Sequence, residues 1–490
     1  MTTPRPAKAT QPILNHIGGE WVRSSGAASL PVEDPATRDV LHHVPLSNAA
    51  DVDAAVQAAK NAFPGWRETP PVERVQVLFR LKALLEQHLD DLGVSLTREH
   101  GKPVAESKGE IRRGIENVEH ACGIPTLMMG TTLEDVAASV DCETIRQPLG
   151  VFAGVTPYNF PVMIPLWFWP YAVATGNTFV LKPSEQDPLT HQRIVGLAVE
   201  AGLPPGVLNV VHGDWQAADL LVDHPDVAGF SFVGRSEVAQ HVYAKAAAAG
   251  KRVQALGGAK NHMVVFPDAD LDFVTDAVMS SVYGSTGQRC LAGSVLVGVD
   301  DAYEPLRDRI VERSAALRLG SGLDDDVDMG PVISAKHAQY VRKMVEQGVQ
   351  EGARLLLDGR DASVSEYPDG HWVGATVFDE VRLGMRVGRD EIFGPVASFA
   401  RAKTLDDALA LIHANSYGNA TSVFTSSGRT AREFRYRAGI SMIGVNIGVA
   451  APMAFFPFGG SRGSFYGDLK AQGQDAIEFY TDKRVVISRW

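Results

Sequence analysis

The stretch Gly150-Val151-Phe152-Ala153-Gly154-Val155 runs apolar without a charge and stops at Thr156-Pro157-Tyr158-Asn159-Phe160-Pro161. Four more short apolar runs follow, at 178–181, 207–211, 227–233 and 252–256, each bounded by Gly, Pro, Asn or Asp. A strand that is continuously apolar is buried on both faces, which is the pattern of a parallel sheet covered by helices. Helical stretches at 188–201 and 238–249 separate the runs. Strands alternating with helices predict an α/β unit with helices on both faces of its sheet.

Upstream, residues 50–125 read as helical, with Leu78, Leu81, Leu84, Leu85, Leu89 and Leu92 at helical spacing among charged neighbours. Downstream of Cys290 a second α/β texture begins. Its strands are predicted at 294–299, 354–357, 396–399, 421–424 and 441–446, with helices at 306–317, 338–348 and 405–414. The paired Gly257-Gly258 marks a boundary between the halves. The tail, 478–490, reads as a strand whose partner is 133–145, within the chain or on a second subunit. A chain of 490 residues is too long for one core, and two to four structural units are expected.

Composition narrows the function classes. Apolar residues make up 45% and charged residues 21%, ordinary values for a soluble globular protein. The net charge is −12 with no basic stripe, which argues against nucleic acid and anionic membrane surfaces as partners. The longest apolar region, 162–173, is broken by Pro165 and Pro170 and is too short to span a bilayer. Pro4, Arg5, Pro6 and Lys8 precede no apolar run, so no signal peptide is read. Cys122, Cys142 and Cys290 are too few and scattered for a disulfide framework or a paired-cysteine metal site. A reducing, cytoplasmic compartment is expected.

Cys290 carries the strongest chemical signal. A helical run, Leu271–Tyr283, ends in Gly284-Ser285-Thr286-Gly287-Gln288-Arg289, and Cys290 follows just before a strand. A glycine-rich turn permits close approach of substrate, and the Arg289 charge favours a thiolate. The bland alternative is a buried, inert cysteine. Asn159 follows the first strand, at the crevice where α/β proteins bind ligands, and its amide is suited to an oxyanion; a plain turn asparagine is the alternative. Lys182 and Glu185, in Lys-Pro-Ser-Glu after the second strand, are placed to bond ribose hydroxyls, or else form a solvated turn. Gly229-Phe230-Ser231-Phe232-Val233-Gly234 leads into a helix N-terminus able to hold a pyrophosphate. The chain has no GxGxxG, no HExxH and no Walker A motif, so no metal site is expected. Gly459-Gly460-Ser461-Arg462-Gly463 matches GxSxG, but the last histidine, His413, precedes it, so a turn is the better reading.

Taken in order, Pro-Tyr-Asn-Phe-Pro, Lys-Pro-Ser-Glu, Ser-Phe-Val-Gly, Gly-Gln-Arg-Cys, Glu391-Ile392-Phe393-Gly394-Pro395 and a terminal strand resemble the aldehyde dehydrogenase superfamily across nearly the whole chain. The resemblance implies a Rossmann-type NAD-binding domain (1–126 and 147–257), an α/β catalytic domain (258–465) and a small β oligomerisation arm (127–146 and 466–490). It implies Cys290 as nucleophile, with Asn159 and the Cys290 amide as oxyanion hole. For NAD it implies Phe160, Lys182, Glu185, Gly234, Arg235, Leu256, Glu391 and Phe393, with Lys182 and Glu185 on the adenosine ribose and Glu391 on the nicotinamide ribose. It also implies a homotetramer, a dimer of dimers.

One departure bears on the reaction. Hydrolytic members carry Glu-Leu-Gly-Gly where this chain has Ala255-Leu256-Gly257-Gly258, so the base that activates water is missing. That pattern, with Gly258-Ala259-Lys260-Asn261-His262, Ala451-Pro452-Met453-Ala454-Phe455-Phe456 and the segment 113–121, resembles the methylmalonate-semialdehyde dehydrogenase subfamily, whose members pass the acyl group to coenzyme A. The resemblance makes Arg113 and Arg289 the clamp for a substrate carboxylate, which a guanidinium fork matches. Arg235 stands where a small hydroxyl residue is common, which leaves NADP open beside NAD. The alternatives are a hydrolytic semialdehyde dehydrogenase using another base, and a catalytically silent protein on the same fold.

Overall fold

The computed structural model describes residues 12–490; the Pro4, Arg5, Pro6 and Lys8 segment read for a signal peptide lies outside the described residues. The five predicted apolar runs are strands Val151–Val155, Thr178–Lys182, Leu208–Val210, Val227–Val233 and Arg252–Leu256. All five are parallel, side by side. Phe465–Tyr466 closes one edge antiparallel, and the hairpin Asn15–Ile17/Glu20–Val22 closes the other. Strand periodicity divides the core. Phe152 and Phe179 enter a cluster with Trp167 and Leu81, whereas Val151, Ala153 and Val180 enter a second cluster with Val52 and Leu221. Continuous apolar runs were needed because both faces are covered.

The second half forms a seven-stranded sheet, parallel except for Arg354–Leu357 at one edge. Two of its strands, His262–Val265 and Thr376–Asp379, are not anticipated by the sequence. Each has only four residues, and His262–Val265 follows the polar Lys260-Asn261, so its apolar signal is three residues long. It nevertheless lies inside the sheet, between Val295–Val299 and Ala420–Phe424. This sheet therefore starts soon after Gly257-Gly258 and not after Cys290. Upstream, four helices, Ala49–Glu68, Pro71–Gln87, Leu89–His100 and Val104–Cys122, cover 49–122. Leu78, Leu81, Leu85 and Leu92 are fully buried in the first core, and Leu84 and Leu89 pack at its margin.

The tail pairs within the chain. Thr481–Arg489 runs antiparallel to Val140–Pro148, from Thr481↔Pro148 to Arg489↔Val140, and Thr132–Ala137 completes a three-stranded sheet. Leu133, Val485, Ile487 and Trp490 lie exposed on it. The helix before the tail, Gly473–Tyr480, is buried in the first core. Ser461 sits in a turn, its hydroxyl donating to the Gly418 carbonyl at 3.0 Å, as the turn reading of that motif predicts. Among the described residues, no helix is long and apolar enough to cross a membrane, and all three cysteines are free thiols.

One buried side chain ties the tail to the first sheet. Asn177 Oδ1 accepts from the Leu149 and Gly150 amides at 2.8 and 3.0 Å, and its Nδ2 donates to the Tyr480 carbonyl at 2.7 Å. Removing it strands three buried backbone groups. Asn177→Ala is expected to lower stability by about 2–4 kcal/mol, measured as a lower denaturant midpoint with the binding of ligands unchanged at saturating concentration.

Candidate active site

The helix Leu271–Tyr283 is capped by Asp270, whose carboxylate accepts from the Asp272 and Phe273 amides, and it delivers the chain to a buried turn. Ser285, Thr286 and Gly287 have φ of 52°, 55° and 71°, three left-handed residues in succession. Such a conformation costs on the order of 1–2 kcal/mol for each non-glycine residue, so the surroundings must enforce it. The Glu106 carboxylate accepts from the Ser285 amide at 2.8 Å, and the Thr286 hydroxyl donates to the Gly330 carbonyl at 2.9 Å. Gln288 accepts from the Ile333 amide at 3.1 Å. Gly287 lies so close to the Gly394 carbonyl that a Cβ would overlap it. Cys290 follows, with its carbonyl held by both the Asn261 and Asn419 side-chain amides at 2.9 Å. The turn is thus buried rather than an open amide-rich loop.

Cys290 is half-buried on a cavity of about 390 Å³ that Arg113, Arg289 and Phe160 also line. The helix Val104–Cys122 supplies one wall with Glu106, Glu110, Arg113 and Asn117, which recur at helical spacing. Both cations are already engaged. Arg289 meets Glu106 at 3.0 Å, and Arg113 meets Glu116 at 2.7 Å and donates to the Pro452 carbonyl. Buried Gln472, with φ +67°, lines the same space, and its Oε1 has no partner among the described residues. Two larger cavities, about 590 and 480 Å³, lie by the paired strands Ser29–Glu33/Val40–Pro45 and by the tail sheet and contain none of the candidate residues.

Asn159 is buried just ahead of Phe160; its carbonyl accepts from Lys102, and its side-chain amide makes no hydrogen bond among the described residues. Lys182, at the carboxyl end of its strand, pairs with Glu185 at 2.8 Å. Gly234 ends the strand Val227–Val233, and exposed Arg235 precedes the helix Ser236–Ala248 with its guanidinium 6.0 Å from the Tyr340 ring centre. Glu391 accepts from the Ala259 amide at 2.9 Å beside Gly258. Tyr340 donates to the Glu391 carbonyl at 2.9 Å, and His337 Nε2 bonds the Phe393 carbonyl at 2.7 Å. Burial pushes the Glu391 carboxyl up to about 7. Burial also pushes the Cys290 thiol up to about 12, with the Glu391 charge as the second cause. Arg289 acts in the expected direction, downward, but is outweighed.

Residues 21–486 match the aldehyde dehydrogenase family. The chain belongs to it. A malonate-semialdehyde dehydrogenase of Halalkalibacterium halodurans is 47% identical over 478 residues, covering 98% of both chains. Among solved structures, a Sinorhizobium meliloti protein described as a methylmalonate-semialdehyde dehydrogenase in complex with NAD superimposes with a TM-score of 0.97 at 42% identity, covering 98% of each chain. A methylmalonate-semialdehyde dehydrogenase of Oceanimonas doudoroffii gives 0.96 at 44%, again with 98% of each chain.

In this aldehyde dehydrogenase the cavity brings Arg113, Phe160, Arg289 and Cys290 together, and Leu256 packs in the same apolar cluster as Cys290. Ala255 is fully buried in the cluster on the other face of the sheet. Asn159, Lys182, Glu185, Gly234, Arg235, Leu256, Glu391 and Phe393 do not line that cavity, although Asn159 directly precedes its Phe160 wall. Glu106, Glu110, Asn117 and Gln472 line it and were not read from the sequence. For the three helical ones the signal was their register with Arg113; for Gln472 there was none.

The high thiol value makes a prediction. At pH 8 only on the order of one Cys290 in 10⁴ is ionised. Alkylation by iodoacetamide, followed by peptide mass spectrometry, is therefore expected to be slow at Cys290 and to accelerate with every pH unit up to about 11. Glu391→Gln removes one of the two causes and is expected to raise the rate at pH 8. An unchanged rate would remove Glu391 from the electrostatics of the thiol.

Proposed function

We propose that the protein oxidises malonate or methylmalonate semialdehyde through a Cys290 thioester, with NAD as oxidant, then decarboxylates the acyl group and transfers it to coenzyme A. The observation that carries this reading is a cysteine sharing one cavity with two arginines. A substrate with an aldehyde and a carboxylate can reach the thiol with one end and a guanidinium with the other. The relatives' substrates support it.

The residues present fit NAD. Lys182 and Glu185 offer a cation and a carboxylate for ribose hydroxyls at a strand's carboxyl end, Gly234 and Arg235 open a thirteen-residue helix, and Glu391 and Phe393 border the Cys290 turn. Arg235 is suited to a pyrophosphate. When bound, NAD supplies a hydride acceptor and a positive ring that favours a nearby anion.

In the proposed cycle the ionised Cys290 sulfur adds to the aldehyde carbon, and the C=O electron pair moves to oxygen. The Asn159 amide and the Cys290 N–H donate to that oxyanion, each worth about 3–4 kcal/mol in comparable sites. The Cys290 N–H bonds no backbone carbonyl among the described residues. Hydride loss leaves a thioester. Arg113 and Arg289 hold the β-carboxylate until the C–C bond breaks, releasing carbon dioxide and leaving an enolate that takes up a proton. The coenzyme A thiolate then displaces Cys290, giving acetyl-CoA or propionyl-CoA. Ala255 places no base near the thioester, which supports an acyl-enzyme that waits for a thiol. The division into cofactor, catalytic and arm segments given above, the homotetramer built through the arm, and a cytoplasmic location belong to the same reading. A hydrolytic cycle is the second reading, favoured by Glu391, a carboxyl near neutrality whose charge reaches Cys290.

Three outcomes test it. Cys290→Ala is expected to abolish NADH formation, and a parental rate would end the mechanism. Steady-state turnover of malonate semialdehyde is expected to need coenzyme A; equal rates without it, with a free acid product, would establish the hydrolytic cycle. Arg113→Ala is expected to raise KM for the semialdehyde by about 10-fold or more while leaving a simple alkyl aldehyde within about threefold.

A further inference from the structure

We infer that the buried Lys102–Glu110 ion pair is a positioning device for Asn159, setting the direction of the oxyanion donor. The inference rests on the reading of Asn159 given above. Lys102 comes from the turn Gly101-Lys102-Pro103, where Gly101 has φ +94°, and Glu110 from the following helix. Their side chains are 1% and 0% exposed, and Nζ lies 2.6 Å from Oε2. Two buried charges are costly even when paired, and well-packed apolar residues are often as stable. Stability alone does not account for them.

Their remaining contacts all fall on one short segment. Lys102 Nζ donates to the Asn159 carbonyl at 2.7 Å and stands 4.8 Å from the Phe160 ring centre. Glu110 Oε1 accepts from the Val162 and Met163 amides at 2.8 and 3.1 Å. The segment is irregular, lying between the strand Val151–Val155 and the short helix Pro165–Trp167, and Pro157 and Pro161 can donate nothing. Its own backbone bonds are turn bonds, from the Ile164 N–H to the Phe160 carbonyl at 3.1 Å and from the Leu166 N–H to the Val162 carbonyl at 3.4 Å, and neither reaches Asn159. The Asn159 side-chain amide has no hydrogen bond among the described residues, so no partner there sets its aim. Its direction follows from the backbone, and the ion pair grips that backbone before and after the Phe160 wall of the cavity. Lys102 and Glu110 touch no reacting atom in this scheme; they act through Asn159.

The test uses the full-length enzyme with NAD, coenzyme A and malonate semialdehyde. Lys102→Met/Glu110→Leu replaces the pair by apolar groups, and Glu110→Gln breaks the pair while keeping one acceptor oxygen. Each is made in the parent and in Asn159→Ala, with Lys102→Arg as the conservative variant. The pair variants are expected to lower kcat on the order of 10- to 100-fold, as misplacement by about an ångström does. KM and the NAD Kd should stay within about threefold, and Lys102→Arg should keep most of kcat. In the Asn159→Ala background the same changes should cost less than about threefold more, because the donor they aim is gone. If Asn159→Ala itself keeps parental kcat, the oxyanion reading fails and this inference with it. If Asn159→Ala loses kcat but a folded pair variant does not, only the positioning role is overturned. Losses that multiply in full would also overturn it, since the pair would then act elsewhere.

Discussion

The site depends on a backbone that would not hold its shape alone. Ser285, Thr286 and Gly287 turn left-handed in succession, and Gly287 presses against the Gly394 carbonyl. That contact, together with the parallel pairing of the strands Val295–Val299 and Val396–Ala402 that follow, sets the Cys290 segment against the Glu391–Gly394 segment, so the second sheet delivers both nucleophile and carboxylate from one junction. The strain is met by groups from distant elements: Glu106 from a first-half helix, Gly330 and Ile333 from a long connection, and Asn261 and Asn419 from strand approaches. A strained turn persists where its surroundings over-determine it.

Electrostatics around the cavity follow one rule: charges are neutralised locally. Arg289 is paired with Glu106, Arg113 with Glu116, and the thiol keeps its proton. Glu106 has two tasks, since one oxygen fixes the Ser285 amide and the other meets Arg289. On the proposed reading, a substrate carboxylate at Arg289 would compete with Glu106, and substrate binding would be coupled to turn geometry through that one side chain.

What the sequence showed and hid follows from where the signals lie. The five strands from Val151 to Leu256 were legible because burial on both faces demands unbroken apolar runs. His262–Val265 was hidden because its neighbours Lys260, Asn261 and His262 are polar for reasons of tertiary contact. Asn261 serves the carbonyls of Cys290 and Ala292, which no local pattern announces. The tail was legible as a strand, and its partner was fixed only when the register with Val140–Pro148 was seen. At the site, Cys290 and Asn159 stood out through their turns. Lys102, Glu106 and Glu110 did not, because a lysine in a Gly-Lys-Pro turn and glutamates on a charged helix look like solvated residues. Arg289 was read correctly as a neighbour of the thiol, but its influence was overestimated because the partner that occupies it lies 183 residues away.

The high thiol value and the missing base at position 255 point the same way. A cysteine held protonated in a desolvated cleft reacts little with stray electrophiles. Ala255 and Leu256 sit on opposite faces of one strand, in two different cores, so the strand lends the thiol an apolar wall and no proton acceptor. Glu391 does not line that space, but its charge reaches the sulfur, and its backbone segment is already fixed by Tyr340 and His337. In the proposed cycle a thioester formed there would be shielded by the same desolvation that keeps the thiol protonated, and its lifetime would be set by how soon a better nucleophile than water arrives.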